Sequence, residues 1–390
     1  MLHNYSDHAI RKKENLLGIG FMLCMIVPHT NTAFLLLGPI FCVIFKLYLS
    51  ENISIMKISL LVALSMVFTF IVNTGDELTS KGILSFVNIL MIFLVFPNVG
   101  NLRIRNVFIL STFGVIFISQ LAYVLNIPIF IQLLDLLYPS DSSAVRHMAD
   151  TISFDTVVDY RMGGLYRNSN DCARAVNLLI GIFLINNNDI IKNKWNFFFL
   201  FLMFTSILFT GSRTGFVVAF FLIYLSFSTK NTLKSVMIAL PTFILGYFIF
   251  ATGSDSLRGL NVQQGLENSV GAKWLFFMDY VNHNLNEFKL IFGNFDAAKY
   301  HAYNGLYPDY FDSDYGNIIY CYGIIGFIIF ASFFIFVFLR LKKEYKRYYV
   351  LFLWMISNSV VFSFRMFFIY MLLLSIYYSA SKTRVASNNR

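Results

Sequence analysis

Residues 317–339 read NIIYCYGIIGFIIFASFFIFVFL, 23 residues without a charge, closed by Arg340. The run exceeds the roughly 20 residues that carry a helix across the hydrocarbon core of a bilayer. The same texture recurs along the rest of the chain. Of 390 residues, 57% are hydrophobic, 18% aromatic and only 13% charged, with a mean hydropathy of +0.65. Soluble domains carry roughly 25% charged residues, about twice this content. A water-soluble fold could not hide 45 Phe, 22 Tyr and the accompanying Ile and Leu. The composition therefore predicts an all-α, polytopic integral membrane protein, a single membrane domain over 1–390.

Apolar runs separated by short polar breaks predict about 12 transmembrane helices. They fall near 16–28, 32–49, 58–73, 82–97, 106–126, 172–188, 195–210, 214–229, 234–251, 317–339, 348–363 and 366–380. The first is short and resembles a signal-peptide core in length, but no small-residue cleavage site follows it and it is read as retained. Cys24, Cys42, Cys172 and Cys321 lie in or beside apolar runs without CxxC spacing, so they form neither a disulfide framework nor a zinc site.

Positive charge sets the orientation. The side shared with the N-terminus carries Arg11–Lys13, Lys46, Lys57, Arg103, Arg105, Lys192, Lys194, Lys230, Lys234 and the basic residues from Arg340 onward except Arg365, which falls at an outer turn. That side holds 19 basic and 5 acidic residues, a net of +14, against 11 basic and 16 acidic on the other, a net of −5. The net charge of +9, which in a soluble protein would suggest nucleic acid, thus resolves into the positive-inside asymmetry of a membrane protein with both termini cytoplasmic.

The long connections all face outward. Residues 127–171 and 252–316 form two large periplasmic loops, and loops of that length in a compact protein usually carry function. Within them, 127–139 and 273–292 read either as interfacial helices along the bilayer or as loop helices packed on the spans. Charge inside the spans is nearly absent, and the halves show no internal similarity, which lowers the reading of an ion-driven transporter.

The outer arginines are more informative. Arg161 and Arg167 lie in YRMGGLYRNSNDCAR, which leads into a span; Arg213 lies in TGSRTGF between two spans. A guanidinium matches phosphate oxygens and keeps its charge when desolvated. Gly163, Gly164, Gly211 and Gly215 allow tight turns and close backbone approach. Asn168, Ser169 and Asn170 are placed to cap the following helix, whose N-terminus favours an anion. A single arginine at a span boundary is commonly a snorkelling anchor. Two arginine–glycine turns facing one polar region move the pair towards anion binding.

The second loop supplies candidate bases, His301, Asp309, Asp312 and Asp314, among tyrosines suited to stacking on sugars. Each is also readable as a solvated loop residue. Asp312-Ser313-Asp314 spells DxD, a metal-binding signature in soluble glycosyltransferases, but three residues on the outer side do not justify a metal.

At these residues the chain resembles the O-antigen polymerase/O-antigen ligase family of bacterial surface-polysaccharide enzymes. Arg161 with Gly164, Asn168 and Asn170 is similar to that family's outer-loop pattern of an arginine, a glycine and asparagines opening a helix. Gly211-Ser212-Arg213-Thr214-Gly215 is similar to its SRxG turn. Asp312-Ser313, nine residues, Gly323, two residues and Gly326 is similar to the ligase pattern that begins with histidine, and Lys273-Trp274 with Leu290-Ile291-Phe292-Gly293 resembles the family's tryptophan-to-glycine stretch. Asp312 stands where a ligase has its histidine, a departure that favours polymerase over ligase.

The resemblance implies a bacterial inner-membrane enzyme with a periplasmic active site. It would transfer a glycan from an undecaprenyl-pyrophosphate carrier to the non-reducing end of another carrier-linked repeat unit, with no metal or other cofactor. Arg161 and Arg213 would hold the leaving pyrophosphate, with Arg167 as a third contact. Asp312 would serve as base or orient the acceptor, with Asp314 and His301 in reserve. The implied partners are the lipid-linked donor and acceptor and the bilayer itself, with room for a chain-length regulator and no place for nucleic acid. The competing readings are an O-antigen ligase and a non-enzymatic polysaccharide flippase or exporter.

Overall fold

Apolar runs fold as helices because a helix satisfies its own backbone groups and needs no water along its length. A computed structural model describes residues 2–26, 53–72, 103–137, 163–166, 169–187, 193–228, 287–294 and 314–341, with scattered positions between 83 and 93 and between 346 and 374. Every regular element among the described residues is helical, with no strand. In chain order they are α1 (Leu2–Ile26), α2 (Ile53–Val72), α3 (Asn106–Val124), α4 (Pro128–Leu137), α5 (Ser169–Asn186), α6 (Lys194–Phe209), α7 (Arg213–Ser228), α8 (Glu287–Phe292) and α9 (Asp314–Arg340). Two of them, α3 and α9, are long and apolar enough to cross a membrane; Leu60–Val72, Lys194–Phe209 and Gly215–Ser226 are shorter apolar helices.

The helix bounds lie close to the expected spans, with one large exception. α1 extends back to Leu2, through the charged stretch Arg11–Glu14, because Arg, Lys and Glu are good helix formers even where no membrane requires a helix. The expected spans at 32–49 and 234–251 lie outside the described residues. Those at 82–97 and 348–363 are represented by a few helical positions, and that at 366–380 by 367 and the helical run 370–374.

The helices associate in two units, one built from residues 1–34 and 103–262 and the other from 35–102 and 263–390. In the first, α3 packs against α1, α4, α5 and α6, while α5 also contacts α6 and α7. Every residue of α5 from Cys172 to Leu184 is buried, so this helix is the core of its unit. α3 shows two faces. Ile109, Thr112, Phe113, Ile116, Ser119 and Gln120 turn inward, while Val107, Val115, Ile118, Leu121 and Leu125 form an outward apolar stripe at three- and four-residue spacing. Such a stripe is unfavourable against water and favourable against lipid tails.

Contacts at the helix ends show that α1, α3 and α6 run one way and α5 and α7 the other. At one end, Arg105 donates to Asn15 at 2.9 Å, the Arg103 amide donates to Glu14 at 3.3 Å, and Asn106 and Asn196 both donate to Asn187. This polar end collects Arg103 and Arg105, just before α3, and Lys194 at the start of α6. The opposite end is built differently, from two tight turns.

In the second unit, α9 packs on α2 and α8, and Phe93 is the hub of an aromatic cluster with Phe330, Phe333 and Phe367 at 5.2–5.4 Å between ring centroids. The 317–339 run is not one straight helix. Gly323 interrupts it with φ 67° and ψ −175°. The Tyr315 and Phe327 rings lie 6.4 Å apart across this break, although a straight helix would separate the two residues by about 18 Å along its axis. The arms therefore bend towards each other at Gly323. The apolar composition of the run conceals this bend, because hydropathy carries no information on backbone dihedrals.

Candidate functional site: two turns at one helix end

The turn Gly163–Tyr166 is buried throughout, which is unusual for a loop. Tyr166 donates its amide to the Gly163 carbonyl at 3.0 Å, with Gly164 at φ 59° in the first central position. That dihedral calls for glycine, and so does the space. A Cβ on Gly164 would run into the Ser119 hydroxyl and lie 3.0 Å from the Gln120 amide. The Leu165 amide donates to Ser119 Oγ at 3.1 Å, and the Tyr166 hydroxyl reaches the Met25 carbonyl at 2.8 Å. The turn thus tucks between the ends of α1 and α3, and its backbone polar groups find partners there rather than in water.

Beneath it lies a polar cluster in an otherwise apolar interior. Gln120 accepts from Ser206 Oγ at 2.6 Å and donates to the Ser206 carbonyl at 3.1 Å and to Cys172 Sγ at 3.4 Å. One side chain of α3 therefore holds the start of α5 and the end of α6. One turn into α5, Arg174 is buried and paired with Asp171 at 2.8 Å.

The second turn, Thr210–Ser212, links α6 to α7. Gly211 takes φ 60° as the stop of α6. Ser212 Oγ then accepts the Gly215 amide at 3.3 Å, the bond of a serine N-cap, so α7 starts at Arg213. Thr210 Oγ1 accepts the Ser212 amide and donates to the Ile207 carbonyl, which keeps the turn tight. Gly215 allows α7 to approach α5: a Cβ there would sit 2.6 Å from Ala173 Cβ. Asn177 uses the same approach, donating to the Gly215 carbonyl at 2.9 Å, and its Oδ1 has no hydrogen-bond partner among the described residues.

In the second unit the likeness-bearing glycines Gly293 and Gly323 meet. Both have positive φ, 83° and 67°. A Cβ on Gly293 would lie 2.6 Å from the Gly323 nitrogen, and one on Gly323 would lie 2.7 Å from the Gly293 nitrogen. The Asn294 amide donates to the Tyr320 carbonyl at 2.8 Å, taking up an acceptor that the break in α9 frees from its helical partner. The end of α8 is thereby docked into the break.

The expected site residues fall as follows. Arg213 is the first residue of α7, and Asp314, fully buried, is the first residue of α9, where a carboxylate complements the helix dipole. Arg161, Arg167, His301 and Asp312 lie outside the described residues, as do Asp309 and Asn168. Of the cysteines, Cys24, Cys172 and Cys321 are buried thiols outside any disulfide, and Cys42 lies outside the described residues. The sequence reading missed Ser119, Gln120, Asn177 and Ser206. Their signal in the sequence is an uncharged polar side chain inside an apolar run. Comparison with known proteins finds no match to this chain among family models, curated proteins or solved structures.

Proposed function

We propose that the protein is a multi-pass inner-membrane glycosyltransferase that polymerises undecaprenyl-pyrophosphate-linked oligosaccharide repeat units on the periplasmic side. About twelve spans with both termini cytoplasmic complete this reading, with 127–139 as an interfacial helix. One observation carries it: the turn 163–166, which Arg161 and Arg167 flank in the sequence, and the turn that leads into Arg213 are built against the same end of one helix unit. Arg213 opens α7, whose Gly215 abuts Ala173 in the first turn and a half of α5. The N-termini of α5 and α7 open at this end, and helix N-termini with arginines near them in the sequence suit a pyrophosphate.

Fixed positive charge there would stabilise the leaving pyrophosphate as the glycosyl–phosphate bond breaks. Asp312, with Asp314 or His301 behind it, would receive the proton of the attacking sugar hydroxyl. Support for the acceptor side is the short-motif likeness and the aspartate at 312. The opposite end of the unit, with its basic residues, is the cytoplasmic end in this reading.

Deleting the gene and displaying the lipopolysaccharide on a gel tests the reading. A polymerase null retains core plus a single repeat unit. Glycan stranded on the carrier lipid would indicate a ligase instead, and units trapped inside a flippase. A normal ladder restored by Arg213→Ala at normal abundance would remove that residue from the site, and an Asp312→Asn chain that polymerises at the wild-type rate would remove Asp312.

A further inference from the structure

The polar end of the first unit, opposite the two turns, is built from amides around positive charge. Asn106 and Asn196, in the first turns of α3 and α6, both donate to Asn187 Oδ1 at 2.9 and 3.2 Å, so their side-chain nitrogens lie no more than about 6 Å apart. Asn186 joins them, donating to Asn106 Oδ1 at 3.1 Å. The network brings the segments that carry Arg105, next to Asn106, and Lys194, two residues before Asn196, to one place. Arg105 is held by Asn15 of α1 at 2.9 Å, through one of the five N–H groups of its guanidinium. That partner is a neutral amide, which fixes the side chain without cancelling its charge. Arg103, Arg105 and Lys194 are exposed, and among the described residues none of them is in an ion pair. Across 11–15, 103–106 and 193–196, six basic residues stand against one acid, Glu14, so the cluster repels itself unless an anion sits on it. Exposed apolar stripes begin within two residues of these charges: Val107, Val115 and Ile118 on α3, and Trp195, Phe198 and Phe201 on α6. Trp195 is 69% exposed. An anionic head beside hydrocarbon is the form of an acidic phospholipid, and a tryptophan beside a lysine belongs at the level of the headgroups.

We propose that this end of the unit binds the headgroup of an anionic phospholipid in the adjoining leaflet. Arg103 and Arg105 take the phosphate oxygens, Lys194 adds charge from α6, and the acyl chains run along the stripes that begin at Val107 and Trp195. A guanidinium pinned by Asn15, on a network that joins α3, α5 and α6, gives the site a fixed geometry that freely moving surface charges lack. A soluble phosphate would meet the same charges but leave both apolar stripes without a role. The inference rests on the placement of these helices in a bilayer and is independent of the polymerase reading.

The test uses the full-length protein with Trp195 as its only tryptophan, after Trp274→Phe and Trp354→Phe, in phosphatidylcholine vesicles with increasing phosphatidylglycerol. One lipid or the other is dibrominated high on its acyl chains, and quenching of Trp195 across the mixtures gives the relative binding constant of the anionic lipid. A basic residue at a membrane surface is worth about fivefold in that constant. With the arginines and Lys194 intact, phosphatidylglycerol should be preferred about tenfold or more. Arg105→Gln should lose about fivefold of this, and Arg103→Gln with Arg105→Gln should abolish it. Lys194→Gln, which disturbs no hydrogen bond of the asparagine network, should also lose about fivefold. Arg340→Gln removes a basic residue assigned to the same membrane side but to the second unit, and should leave the preference unchanged. Equal quenching by the two lipids, or a loss in Arg340→Gln as large as in Arg105→Gln, overturns the proposal and leaves the bilayer placement standing. A preference abolished by inorganic phosphate, but not by chloride at the same ionic strength, assigns the arginines to a soluble anion and also overturns it. No quenching by either lipid overturns the bilayer placement of α6 and the proposal with it.

Discussion

Replacing Gly323 by alanine should destabilise the second unit by about 2–4 kcal/mol. The native φ of 67° with ψ −175° falls where essentially only glycine resides, and a side chain forced there costs about 1–3 kcal/mol. The added Cβ would also overlap the Ile291 carbonyl and lie 2.7 Å from the Gly293 nitrogen, both rigid backbone. The end of α8 must withdraw, and the Asn294–Tyr320 hydrogen bond, worth about 0.5–1.5 kcal/mol net, goes with it. Gly114→Ala is the control. Gly114 lies inside α3 with nothing within 4 Å of an added Cβ, so helix propensity should stabilise that variant by about 0.5–1 kcal/mol. Denaturation by SDS in mixed micelles, followed by circular dichroism, would rank wild type, Gly114→Ala, Gly293→Ala and Gly323→Ala. Gly293→Ala should cost nearly as much as Gly323→Ala, and the double variant less than the sum, because each change removes the same contact. Should Gly323→Ala unfold within about 0.5 kcal/mol of wild type, a value well below the lower estimate above, the glycine-to-glycine docking is wrong.

Two further perturbations address the first unit. Gly215→Ala should part α5 from α7 and cost about 1–3 kcal/mol, as overpacking does; Ala173→Gly in the same chain should recover part of that loss in the same titration, because the clash is with Ala173 Cβ. On α4, Ile129 and Leu136 are 79% and 76% exposed while Leu134 is buried, a pattern that continues the apolar stripe of α3. Tryptophan at Ile129 or Leu136 should be quenched by lipids brominated near the headgroup and shielded from aqueous iodide; the reverse pattern would make α4 a loop helix in water.

Some of this architecture was legible residue by residue. The helical character of 106–124 and 194–209 follows from unbroken apolar composition, and the stop at Gly211 with the start at Ser212 follows from local chemistry, a left-handed glycine and a serine cap. Arg213, read as lying between two spans, is instead the first residue of α7, because Ser212 caps the helix one residue earlier than the apolar run suggests. The bend at Gly323 was not, since a lone glycine in an apolar run is compatible with a straight membrane helix. Nor was the role of Gln120, because one polar side chain in a span shows no partner until the neighbouring helices are placed.

What the chain by itself determines is therefore what arises within about one helical turn: apolar helices, their caps, the glycine turns and the sorting of charge along the polymer. What only the tertiary structure decides is which of these meet. The Leu165 amide finds Ser119 across 46 residues, and the Tyr166 hydroxyl finds Met25 across 141. Gly293 meets Gly323 only because the end of α8 docks where α9 is interrupted. The reason is physical. Local preferences act through neighbouring dihedrals and hydrogen bonds, whereas these encounters depend on a few specific close approaches, each requiring a missing Cβ or one polar atom at the right depth.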